Sequence, residues 1–105
     1  MTREVFYSPA AYSDFTSIYE WIEPKSSHEV AHAFVMSIFE YCEDLCVFPF
    51  RGVSRADLAP GLRIVGFKKR VTIAFVVSDS IVEIHGIFYG GRDVESDMTR
   101  RGRDC

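Results

Sequence analysis

The 105-residue chain has three cysteines, Cys42, Cys46 and Cys105, and no Cys-x-x-Cys pair. An odd count at this spacing excludes a disulfide framework and a cysteine-based zinc site. Cys42 and Cys46 stand four apart, share one face of a helix, and read as small core hydrophobes in a reducing compartment. No run approaches the roughly 20 apolar residues of a membrane span. The opening MTREVFYSPAAY holds no apolar stretch of signal-peptide length. The expected location is the cytoplasm, with no membrane partner.

Positive charge is also short. Twelve Lys and Arg stand against fifteen Asp and Glu, for a net charge of −3. Nucleic-acid binders draw affinity from phosphate contacts and carry a basic excess. Direct nucleic-acid binding outside a larger complex is therefore not expected. His28 and His32 stand four apart on a helix and could share a metal, but no further Cys or His follows at a ligand spacing. No metal and no cofactor are expected, and nothing marks a nucleophile elbow.

What the chain does have is apolar content. Nearly half its residues are hydrophobic, with nine Phe and five Tyr, enough for one packed core and one domain. Residues 3 to 7, REVFY, read as a short strand. Ser8 then offers an N-cap and Pro9 a first helical residue. Ala11, Phe15, Ile18, Tyr19 and Ile22 follow helical spacing, and Pro24 ends the run. Ser26 and Ser27 offer a second N-cap, and Val30, Phe34, Ile38, Tyr41 and Leu45 carry a helix to about Cys46. The short link between the helices predicts an antiparallel hairpin. VFPFRGVSRADLAPG reads as a loop. GLRIVGF, RVTIAFVV and IVEIHGIFY are three strands, the last two joined at Ser78–Ser80. The order β-α-α-β-β-β predicts an α+β fold, with a helix hairpin on one face of a mostly antiparallel sheet. The domain is expected over 1–95, with a polar, Arg-rich tail over 96–105.

Side chains alternate along a strand. Val82, Ile84, Gly86 and Phe88 are apolar and are expected to face the helices, as are Leu62 and Ile64. The opposite set then gathers Arg63, Glu83, His85 and Tyr89 on an open face, with Phe67 beside them and Arg92 at the rim. That face is either a solvated surface, with Arg63 and Glu83 paired across strands, or a partner surface. The clusters Lys68-Lys69-Arg70 and Arg100, Arg101, Arg103 are likewise either solvated ends or contacts.

YSPAA opens the first helix, FPFRG follows the second, and LR enters the first meander strand. The apolar hairpin RVTIAFVVSDSIVEIHGIFY then ends in GGRD. In this order, over roughly residues 3 to 95, the chain resembles the RelE/ParE superfamily of toxins from bacterial type II toxin–antitoxin systems. RelE-like members cut mRNA on the ribosome, using Lys, Arg and often Tyr on the open sheet face; ParE-like members poison DNA gyrase by binding. Arg63 matches the family's arginine in the first meander strand, and Arg92 the arginine after the last strand. The RelE tyrosine falls near Met98, which cannot move a proton, and the RelE lysine pair is missing.

The resemblance thus implies a ParE-like gyrase inhibitor without catalytic residues, neutralised by a cognate antitoxin. Target contacts would be Arg63, Arg92, Arg100, Arg101 and Arg103. Antitoxin contacts would be Tyr12, Phe15, Tyr19, Arg63, Phe67 and Arg92. The alternatives are a metal-independent endoribonuclease using Arg63, His85, Tyr89 and Arg92, and a non-toxic member that only binds its antitoxin.

Overall fold

The computed structural model describes residues 3–90 and 94–103, with side chains as far as residue 100. Strand β1 (Glu4–Tyr7) leads into helix α1 (Pro9–Ile22). The Ser8 hydroxyl accepts from Ala11 N at 3.1 Å and caps that helix, with Pro9 at its first turn. A 3₁₀ turn over Glu23–Lys25 carries Pro24, which cannot continue an α-helix. The Ser27 hydroxyl then caps helix α2 (His28–Asp44) by accepting from Val30 N. Four strands follow: β2 (Val53–Ser54), β3 (Leu62–Phe67), β4 (Val71–Val77) and β5 (Ile81–Tyr89). Helix α3 (Val94–Arg103) closes the described chain.

The sheet order is β1-β5-β4-β3-β2, with β1 parallel to β5 and every other pair antiparallel. The expected α+β architecture is present, with two additions. A two-residue strand sits inside the stretch read as loop, and a helix occupies most of the stretch read as a tail.

The helix hairpin packs Phe15, Ile18, Ile22, Ile38 and Cys42 on Ile73, Phe75, Val82, Ile84 and Ile87. Each such side chain, fully buried, stabilises by about 1.5–3 kcal/mol relative to exposure. On the opposite side of the sheet Met98 of α3 packs with Leu62, Ala74 and Phe88 in a smaller second cluster. Among the described residues no helix is long and apolar enough to cross a membrane.

Two covered faces explain where the parity reading fails. In β3, Leu62 and Ile64 lie under α3, while Val65 and Phe67 pack toward the hairpin. Apolar side chains thus occupy both faces, and apolarity alone does not say which is which. In β5 a bulge adds a second cause. Ala74 pairs with Gly86 and Phe75 with Ile84, so His85 is the extra residue. Val82 and Ile84 face the hairpin before it, Ile87 and Tyr89 after it, and Phe88 turns to the α3 side.

The bulge falls where β1 ends, since Tyr7 is its last residue paired to β5. Beyond that point β5 would have a bare edge. Helix α1 covers it: Asp14, 3% exposed, accepts from Ile87 N at 2.9 Å through Oδ2. The Ser8 hydroxyl donates to His85 O at 3.3 Å.

Candidate functional site

The richest exposed surface lies where α2 runs out into the sheet edge. Leu45 and Cys46 are buried, and the chain then surfaces at Val47, Phe48 and Phe50. Phe48 is 63% and Phe50 69% exposed. Two phenylalanines left in water on one loop mark a contact surface more often than a fold requirement. Arg3, Val47, Phe48, Pro49, Phe50 and Arg51 line an open pocket of about 390 Å³.

Gly52 turns this loop back along β3. Its φ of +73° is a left-handed conformation, and a Cβ there would fall 1.9 Å from the Ile64 carbonyl oxygen. Only glycine permits that approach. The approach brings the Arg51 and Gly52 carbonyls over Arg63, whose Nε and Nη2 donate to them at 3.2 and 3.4 Å. The guanidinium of Arg63 also lies 5.7 Å from the Phe50 ring. Arg3 stands at the same distance from that ring and donates through Nε to Ser78 O at 2.7 Å. Arg51 lies over Tyr41 and Phe48 at 5.3 and 5.6 Å. Each such stacking is worth about 0.5–1 kcal/mol at an exposed site. Among the described residues none of these three arginines has a carboxylate within 4.0 Å. The surface therefore offers exposed aromatic rings and positive charge that no carboxylate among the described residues pairs with. It can bind an acidic, partly apolar partner.

The residues expected to share an open face do not meet. Arg63 and Tyr89 lie on the hairpin side of the sheet, and His85 on the other. Arg63 is level with Phe75 and Tyr89 with Val71, so the two stand about 13 Å apart along the strand direction. Tyr89 is wedged between Trp21 and Phe34, at ring distances of 4.8 and 5.6 Å. His85 Nε2 lies 2.7 Å from Glu83 Oε1, which leaves no Arg63–Glu83 pair across the sheet. Arg92 lies outside the described residues.

The expected partner contacts divide in the same way. Tyr12 is exposed, but Phe15 is 5% exposed and stacks on Phe39 at 3.9 Å. Phe15 is core, and no partner reaches it. Tyr19 is spent locally: its hydroxyl donates to Glu23 and touches His28 Nδ1. Its ionisation is pushed up, first by desolvation and then by Glu23. Phe67 lies 4.7 Å from Tyr41 and partly packs against the main core. Arg100 donates to Asp97 at 2.5 Å within α3, so the expected free arginine tail is a helix there. Arg101 and Arg103 fall in α3, with their side chains outside the described set. His28 and His32 lie near one another at 6.0 Å between rings, and no cluster of three metal-ligating groups occurs among the described residues.

The Phe48–Phe50 loop and Arg3 are what sequence reasoning passed over. FPFRG carried the signal, since two Phe flank a Pro in a polar loop with no helical or strand period to bury them.

Three comparisons bear on what this surface belongs to. The family model for the ParE toxin of the type II toxin-antitoxin system parDE matches residues 5–94. Among curated proteins none matches the chain. Among solved structures, the chromosomal ParDE toxin–antitoxin system from P. aeruginosa superposes with a TM-score of 0.72. It is 21% identical, over 85% of this chain and 97% of that one. The toxin–antitoxin complex RelBE2 from Mycobacterium tuberculosis superposes with a TM-score of 0.60 at 14% identity, over 85% of this chain and 99% of that one. At these identities the structures establish a shared fold, while the family match spans most of the sequence: the chain belongs to the ParE toxin family of type II toxin–antitoxin systems.

Proposed function

We propose that this toxin acts as a ParE-like inhibitor of DNA gyrase, working by binding and held in check by a cognate antitoxin. The observation that carries this reading is the scattering of the groups an RNA-cutting site would need. Attack of a ribose 2′-hydroxyl on the adjacent phosphate requires proton-moving groups and cations within hydrogen-bond reach of one another. Here Arg63 is engaged by backbone carbonyls, His85 lies across the sheet beside Glu83, and Tyr89 is packed between aromatic rings. A binding mechanism needs only a surface, and the arginines around Phe48 and Phe50, which pair with no carboxylate among the described residues, supply one. Arg63 and Arg51 are its charged contacts, with Phe50 as the apolar anchor.

The test is a pair of assays on antitoxin-free protein: gyrase supercoiling and cleavage, and mRNA cleavage on ribosomes. Gyrase inhibition with intact mRNA is the expected outcome, and Phe50→Ala lowers inhibition about tenfold or more while leaving the melting temperature within a few degrees. Cleaved mRNA with unaffected gyrase would overturn the reading. No growth arrest on expression would mark the chain as a non-toxic member of its family.

A further inference from the structure

The turn that joins β3 to β4 is Lys68-Lys69-Arg70, and all three residues are exposed. Lys68 and Lys69 both take a positive φ, of +52° and +66°. A Cβ disfavours this left-handed region, and such positions select glycine or asparagine. The fold thus gains nothing from lysine at either place. Charge stands there against the local conformational preference. Lys25 adds a fourth exposed cation, with its Nζ 4.0 Å from the Trp21 ring centre. Among the described residues none of these four cations has a carboxylate within 4.0 Å. Glu23, two residues from Lys25, is turned to Tyr19 and His28.

Aromatic rings link the cations. From Lys25 the line passes through Trp21 to Tyr89 at 4.8 Å and on to Phe34 at 5.6 Å. Lys68 then lies 5.7 Å from Phe34 and 5.4 Å from Phe67. Phe67 reaches Tyr41 at 4.7 Å, and Arg51 lies over Tyr41 at 5.3 Å. The basic turn and the Phe48–Phe50 loop therefore belong to one continuous side of the molecule. A protein docked on that loop has the turn beside it.

We infer that Lys25 and the Lys68–Arg70 turn grip the phosphate backbone of the DNA that gyrase holds, as a second contact beside the Phe48–Phe50 loop. A row of phosphates needs positive charge spread along a surface and no fitted pocket. An acidic peptide fits worse, because it would need an apolar pocket for its anchors. Phe34, Phe67 and Tyr89 are already packed against the main core. With a net charge of −3 the free toxin holds DNA weakly. Docking on gyrase turns the phosphate contact into an intramolecular one and raises its effective concentration. The inference rests on the reading that gyrase is the target of this chain.

The affinity of the toxin for gyrase, measured with and without a bound DNA duplex over a range of salt, tests it. The wild-type toxin should bind more tightly when DNA is present. That gain should fall about tenfold between about 50 and 200 mM salt, as about two phosphate contacts would give. The double variant Lys68→Asn with Lys69→Gly removes two charges and suits the left-handed turn, so it should melt at or above the wild-type temperature. It should lose at least tenfold in affinity when DNA is present and bind gyrase alone as the wild type does. A double variant that keeps the whole gain would overturn the inference and leave the gyrase reading intact. Equal losses with and without DNA would assign the turn to an acidic patch on gyrase and overturn it as well. So would wild-type affinity that DNA does not change. No binding to gyrase in either condition would remove the target reading beneath it.

Discussion

Asp14 is a carboxylate in a place where carboxylates seldom sit. It is buried on the core side of α1, and its role is to accept the Ile87 N–H that the sheet leaves without a strand partner. Asp14→Ala removes the acceptor and strands a buried donor, which costs about 1–3 kcal/mol. Asp14→Asn keeps an acceptor oxygen and should recover most of that loss. Urea unfolding of the three proteins checks both, and equal stability for Asp14→Ala and wild type would show the bond to be dispensable. Cys42 tells a different story at the same scale. Burial is the largest cause holding its thiol up, to about 12 from an ordinary 9.0. The fold therefore favours the protonated thiol. Its contribution is full below pH 9 and is lost as the pH rises from 9 toward 12. Burial raises the Tyr7 hydroxyl as well, so stability should fall through this alkaline window. Cys42→Ala should flatten part of that slope, as read from melting temperatures between pH 8 and 11. Cys46 is also raised by burial, and neither thiol should react with iodoacetamide at pH 8 in the native protein.

At the scale of elements, α3 changes what a truncation means. Removing residues 96–105 would take away Met98, which packs on Leu62, Ala74 and Phe88. It would also disturb the helix that carries Glu95, whose Oε1 accepts from Arg55 at 2.9 Å. Arg55 also grips Asp57, whose carboxyl it holds below the usual range. Loss of toxicity on truncation would thus report a damaged second core as readily as a lost contact. Met98→Ala isolates the structural part and should cost about 2–3 kcal/mol in a urea titration, toward the low end for a buried methionine because it packs in the smaller of the two clusters. A change below about 0.5 kcal/mol would mean that α3 is loosely held. Substitutions of Arg100, paired among the described residues with Asp97 of its own helix, then test contact without that penalty.

For the molecule as a whole, the two faces of the sheet decide which side chains stay exposed. The hairpin covers one face and α3 part of the other, and among the described residues Phe6 of β1 and the Phe48–Phe50 loop are among the side chains left exposed. Exposed rings on a loop suit a protein that works by holding others. The same division sets which parts of the molecule could be read in advance.

Local chemistry determined the elements. Ser8-Pro9, Pro24 and Ser27 bound the two helices, and alternating β-branched runs mark three strands, because caps, breakers and periods act within a few residues. The resemblance to the family rests on that same order of elements. Three other features were decided only by tertiary structure. Strand β5 changes parity because its neighbour β1 ends at Tyr7 and a bulge follows, and no residue in IVEIHGIFY announces where a partner strand stops. Val94–Arg103 form a helix because Met98 finds a second core, on a sheet face that sequence parity had left open. Arg63 faces the hairpin and is gripped by the Arg51 and Gly52 carbonyls because Gly52 lets a loop eleven positions away lie against β3. In each case the cause is a neighbour distant in the chain, and period and propensity carry no record of distant neighbours.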